Sequence, residues 1–233
     1  MLRKAVIVAL LVLLPGFLFA AGFVVKAAKG DAAVRHGVSE QWVRLNAGDV
    51  LSINDAVSTG ANSTITFQVP NGSTIRIPEY ALLELSDLRN LTQEELLLKL
   101  AMENIRNVPR NRREGIVVPS TTVVHGANKS SDETLPVPDN SRLADMQITG
   151  ARVLFGHNYY GTCILRTKEV VRLYPEMTRR AESHLLVAES FERLGLAKDA
   201  LAEYSSLLAL DLPQAQRAAI DAKIERLRGT LKQ

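Results

Sequence analysis

The chain has 233 residues, 46% apolar and 23% charged, which is enough for one large domain or two small ones and too apolar for disorder throughout. Its 14 glycines and 9 prolines lie near average usage, so neither a collagen-like nor a low-complexity chain fits, and its single cysteine, Cys163, excludes an intramolecular disulfide scaffold and a multi-thiolate zinc site. The formal net charge of +3 points to no strongly charged partner.

Arg3 and Lys4 precede an apolar run beginning at Ala5, broken by Pro15-Gly16 and closed by Phe19-Ala20-Ala21-Gly22. A basic start, an apolar centre and small residues at a cleavage point make residues 1–21 an export signal, cut after Ala20 or Ala21. The expected location is periplasmic or otherwise extracytoplasmic. The run up to Val25 also reaches the roughly 20 residues of a membrane helix, so an uncleaved segment would anchor the protein to the inner membrane. Removing residues 1–21 takes two of the 28 basic side chains and leaves 26 against 25 acidic, a net charge of +1. No nucleic-acid partner is expected. The one compact basic cluster, Arg110, Arg112 and Arg113, reads as a solvated connection, with an anionic envelope polymer as the sharper alternative.

From Phe23 to Leu85 apolar residues alternate or come in short runs interrupted by Gly, Asn, Asp and Pro, which predicts short strands and tight turns. The clearest piece is a hairpin around Pro70-Asn71-Gly72. A two-residue Asn-Gly turn would set Phe67 against Arg76 and split the apolar residues between faces. A three-residue loop, with a type I turn and Gly72 in the left-handed position, instead pairs Phe67 with Ile75 and Ile65 with Ile77. Asp49 and Asp55 bracket a turn near Gly48, where carboxylates hydrogen-bond backbone amides rather than act as acids or bases.

Gly30-Asp31, Trp42, Leu45, Gly48-Asp49, Leu51, Asp55, Val57, Thr59, the strand from Ser63 to Val69, Asn71-Gly72-Ser73 and Ile75 follow in an order that resembles the FecR-like domain, a β-rich module of exported or membrane-anchored bacterial proteins. Asn54 and Asn71 stand where that family has a glycine and an aspartate, and both tolerate positive φ. The likeness spans residues 24–86 and resumes at 116–126, giving a domain at 23–126 with an inserted helix at 92–108. That helix carries a capping box, Thr92 with Glu95, a staple from Leu91 to Leu96, and an apolar stripe of Leu96, Leu97, Leu100, Ala101 and Ile105. Its expected role is to cover the β-domain.

Residues 127–140 are polar and proline-containing, and read as a linker. Beyond them, residues 141–233 change to a helical period. Ala188, Phe191, Gly195, Ala200, Tyr204, Leu207 and Pro213 repeat Ala151, Leu154, Asn158, Cys163, Thr167, Val170 and Pro175 at an interval of 37, and these spacings resemble tetratricopeptide repeats. The family's interval of 34 implies about three extra residues near Glu176 to Arg180. Residues 214–230 would form a capping helix. Two units are fewer than a free-standing array needs, so support from the β-domain or from a homo-oligomer is expected. The resemblance implies a concave face that grips a peptide or protein, for which Tyr159, Tyr160, Arg180 and His184 are the candidates.

Phosphate loops, nucleophile elbows and paired-histidine metal helices are missing from the sequence, so no catalytic, cofactor or metal residue is assigned. Histidines 36, 125, 157 and 184 are scattered, and Cys163 reads as packing. The expected class is α+β in two domains, a small β sandwich or barrel followed by a helical hairpin array. The expected function is non-catalytic scaffolding in the cell envelope, binding an envelope protein, a peptide or a surface polymer. The alternative is a FecR-type signal relay without the cytoplasmic segment that regulates sigma factors.

Overall fold

A computed structural model describes residues 22–107 and 140–232. The export signal, the arginine cluster, the 116–126 segment, His125 and nearly all of the 127–140 linker lie outside the described residues. The mixed α+β class holds, with two antiparallel sheets and six α-helices among the described residues.

The strands are β1 Phe23–Lys29, β2 Ala32–Arg35, β3 Trp42–Arg44, β4 Val50–Leu51, β5 Ala56–Thr59, β6 Thr64–Gln68, β7 Thr74–Ile77 and β8 Leu82–Glu84. They pair as β4-β1-β6-β7 and β3-β2-β5-β8. Alternation decides which side chains point inward: Ile65, Phe67, Ile75 and Ile77 from the first sheet meet Ala32, Val34, Val57 and Leu83 from the second in one buried cluster. Phe23 meets Phe67 edge-on, with ring centroids 5.8 Å apart. The chain crosses from one sheet to the other at Gly30, where φ is +73° and an added Cβ would lie 2.4 Å from Ser63 Oγ, so only glycine fits.

The β6–β7 hairpin has the predicted register, Phe67 opposite Ile75 and Ile65 opposite Ile77. Gly72 N–H donates to the Val69 carbonyl at 2.9 Å, Val69 N–H donates to the Ser73 carbonyl at 2.9 Å, and Gly72 has φ +87°. These bonds define a type I turn closed by a glycine bulge. Asn71 Oδ1 accepts from Ser73 N–H at 3.0 Å. Gly48 is left-handed at φ +96°, and Asp49 accepts from Asn46 N–H at 2.8 Å. Buried Asp55 accepts from Ser52 N–H at 2.8 Å and Gly37 N–H at 3.2 Å, and its carboxylate lies 3.1 Å from His36 Nδ1. The left-handed tolerance expected of Asn54 and Asn71 is not used. The non-glycine residues with positive φ among the described ones are Asn62, Tyr80 and Asn158.

The helices are α1 Gln93–Asn107, α2 Asn140–Gly156, α3 Tyr160–Leu173, α4 Ala181–Arg193, α5 Ala197–Leu208 and α6 Gln214–Leu231. The α2–α3 and α4–α5 turns match bond for bond. Tyr159 N–H donates to the Leu154 carbonyl as Leu196 N–H does to Phe191, each at 2.9 Å, with Asn158 at φ +65° and Gly195 at +74° in the left-handed position. Cys163 and Ala200, equivalent in sequence, are both fully buried. Between α3 and α4 a 3-10 turn spans Pro175–Arg179, and its Met177 is buried in a small cluster with Ala144, Ile148 and Val170.

The change of pattern along the sequence is not a change of core. Ala151, Val153, Leu154, Tyr159, Cys163 and Leu186 belong to the same buried cluster as the sheet residues. Helix α2 lies so close to β8 that a Cβ on Gly150 would fall 2.0 Å from the Leu82 carbonyl oxygen. A half-buried ion pair, Arg166 on α3 with Asp87 after β8 at 2.7 Å, adds to this junction.

Helix α1 begins with the Thr92 half of its predicted capping box, Glu95 N–H donating to Thr92 Oγ1 at 3.1 Å, while the Glu95 carboxylate accepts from Arg89 at 2.8 Å. The expected place of the helix does not hold. Leu96 is buried with Ile164, Val187 and Phe191 of the helical half, and Glu103 pairs with Arg172 of α3 at 3.2 Å. The helix packs on the helical half, against α3 and through Leu96 against α4, rather than on the sheets.

Candidate functional site

Helix α1 reaches α3 through Leu96, but the next residue of its stripe turns toward solvent: Leu97 is 43% exposed. Between α1, α3, α4 and α5 this leaves a groove of about 760 Å3. Leu97 and Leu100 form one apolar wall and Val187 and Phe191 another. Polar groups gather there too: Lys168 of α3 and His184 of α4 both meet Glu203 of α5, and His184 also meets Thr178 in the 3-10 turn.

Glu203 is the hub of these groups. It accepts from Lys168 Nζ through Oε1, and its Oε2 lies 3.2 Å from His184 Nδ1. The other ring nitrogen, Nε2, lies 3.0 Å from the Thr178 carbonyl oxygen. The hydrogen bond to Glu203 holds the His184 imidazole above the usual histidine pKa, against burial, which pulls it down. Burial alone would raise the Glu203 carboxyl, but the bonds from His184 and Lys168 outweigh it and hold the group below the usual range. Lys168 also stands 5.9 Å from the centre of the Phe191 ring, so one cation links the polar groups to an apolar wall. Ser183 Oγ, in the groove lining, is buried with no hydrogen-bond partner.

Of the four candidate contact residues, His184 alone lies in this groove. Tyr159 is 9% exposed and belongs to the shared core, so its reading as a surface contact is corrected: its position after the left-handed Asn158 folds the ring inward. Tyr160 donates to Asn158 Oδ1 at 2.6 Å and packs edge-on against Phe155 at 5.3 Å, at the α2–α3 turn. Arg180 pairs with Asp145 of α2. Neither lines the groove. Lys168 and Glu203 carried no mark in the sequence, whereas Leu97 was visible as a member of the α1 stripe.

Cys163 is fully buried, and burial pushes its thiol up to about 11, leaving it protonated at neutral pH. Among the described residues no group of three His, Cys, Asp or Glu side chains is placed to hold a metal ion. No described helix is long and apolar enough to cross a membrane. Compared with protein-family models, with curated proteins and with solved structures, the chain matches none.

Proposed function

We propose that the protein is an exported, non-catalytic binding and scaffolding module of the cell envelope, and that its helical half holds a segment of a protein partner in the α1/α3/α4/α5 groove. One observation carries this reading. The groove is bordered by apolar side chains of α1 and α4, and one of them, Leu97, is 43% exposed. Two apolar walls and a polar cluster suit an amphipathic segment, whose apolar face would fill the groove while its polar residues meet Lys168 and Glu203. The β half, which shares a buried cluster with α2, serves as the anchor to a second envelope component, a protein or a surface polymer. The basic start and apolar run of residues 1–21 support the location.

The test is site-specific photo-crosslinking of the full chain in cells. A photoreactive residue at Leu97 is expected to trap an extracytoplasmic protein, and one at fully exposed Val38, on the β half, is expected not to trap that protein. A Leu97 probe that yields no adduct, or yields cytoplasmic proteins only, would overturn the reading. The full chain is required because residues 141–233 alone would expose Ala151 and Leu154 to water.

A further inference from the structure

His184 is the one groove residue whose two polar atoms both face groups that accept hydrogen bonds. Thr178 offers a carbonyl oxygen at 3.0 Å, and Glu203 offers a carboxylate at 3.2 Å that also accepts from Lys168 and is therefore ionised. A neutral imidazole carries one N–H and must turn a lone pair toward one of these oxygens. Both bonds form together only in the imidazolium. The charged groups that act on the ring are Glu203 of α5 and Lys168 of α3, and the groove lining adds Arg172 of α3, Asp199 of α5 and Glu103 of α1. Arg172 is neutralised by Glu103, and Lys168, which opposes a second cation, is bound to Glu203.

The three groups that meet at the ring belong to different elements. Thr178 sits in the Pro175–Arg179 turn, His184 in the first turn of α4, and Glu203 in α5. We propose that His184 is a pH-released clamp on the groove: as an imidazolium it ties the 3-10 turn to α5, and as the neutral ring it lets one of them go. This deepens the groove reading and depends on it only for the consequence, which is partner release as the surroundings turn alkaline. The turn supplies part of the groove lining, and its far side is held by Met177 in a separate cluster, so loosening occurs on the groove side. The direction follows from linkage. The folded imidazole titrates above its ordinary value of 6.5, so the clamp is complete below that value and is lost as pH rises through the higher, folded one.

The experiment follows the histidine ring protons of the purified, ligand-free protein by NMR across neutral and alkaline pH, with His184→Gln identifying the resonance. Amide-exchange protection factors for residues 176–184 are recorded in parallel. The expected midpoint for His184 lies above 6.5, protection falls through the same midpoint, and Glu203→Gln moves the midpoint down. A midpoint at or below 6.5, or protection that stays level across it, would overturn the clamp, and Glu203→Gln supplies the test should His184→Gln not fold. Crosslinking from Leu97 below and above the midpoint separates the two readings. An adduct that declines through the midpoint supports both. One that stays constant overturns the link between clamp and groove, and one that never forms while His184 titrates as expected overturns the groove reading alone.

Discussion

Replacing Gly150 with alanine sets two opposing effects against each other, and the structure says which one wins. In an exposed helix interior the change would stabilise by up to about 1 kcal/mol, because glycine loses more backbone entropy than alanine. At position 150 the new Cβ would meet the Leu82 carbonyl oxygen at 2.0 Å and its carbon at 3.0 Å. Carbon and oxygen settle well beyond 3 Å, so α2 has to withdraw from β8 by about 1 Å or more. The obstacle is backbone, which cannot rotate away as a side chain can. Overpacking costs about 3 kcal/mol at the upper end of its usual range, and the withdrawal also loosens Ala151 and Leu154 from the sheet residues they share a core with. The expected net loss is about 2–4 kcal/mol after the entropy gain, or a fall in Tm of about 4 °C or more. The control is Gly229→Ala in α6, where an added Cβ meets nothing within 4 Å and the expected change is a gain of about 0.5–1 kcal/mol. Urea and thermal unfolding followed by helix circular dichroism measure both. If Gly150→Ala matches the wild type or exceeds it, the tight α2–β8 contact, and with it the shared core, is refuted.

Leu96→Ala should cost about 2–4 kcal/mol in the same assay, because Leu96 is 1% exposed against α3 and α4, whereas Leu98→Ala, at a site 64% exposed, should stay within about 0.5 kcal/mol. Gly72→Ala forces a side chain into φ +87° and should lose about 1–2 kcal/mol, read as a lower urea midpoint with the m-value unchanged. Arg166→Leu removes the cation beside Asp87 and should cost about 1–3 kcal/mol near neutral pH. Burial raises the Asp87 carboxyl above its ordinary 3.8 even with Arg166 present, so below pH 3.8 that carboxyl is largely neutral and the cost of Arg166→Leu should shrink. Urea titrations of both proteins at the two pH values check the sign.

The parts of the fold that could be read in advance are those whose cause is local. Pro70-Asn71-Gly72 specifies its loop because proline presets one corner and glycine alone takes φ +87° without strain, and the register of Ile65, Phe67, Ile75 and Ile77 then follows from the need to bury one face. The 37-residue interval was visible for the same reason, since Asn158 and Gly195 are the residues most tolerant of the left-handed turn between two helices. What stayed hidden depends on groups distant in the chain. Gly150 looks like an unremarkable weak point in a helix until Leu82 is set beside it, 68 positions earlier. The Leu96 stripe announced a buried face but not the partner, because an apolar stripe matches any apolar surface and α3 competes with the sheets for it.

The groove was half legible for a related reason. His184 and Leu97 stood out, one as a titratable group in a helical unit and the other as part of a stripe broader than a single contact needs. Lys168 and Glu203 did not, since a lysine and a glutamate on amphipathic helices are ordinary solvated residues until a fold brings them together. Their positions, 16 residues before and 19 after His184, follow no helical period, and the Pro175–Arg179 turn lies between Lys168 and His184. That turn delivers the Thr178 carbonyl to His184 Nε2. Without the Thr178 carbonyl the ring would keep the Glu203 bond, the larger cause of its raised pKa, and lose the smaller one. Glu203 thus does most to keep the proton on this histidine, and the Pro175–Arg179 turn supplies the second acceptor that makes the ring a link between two elements.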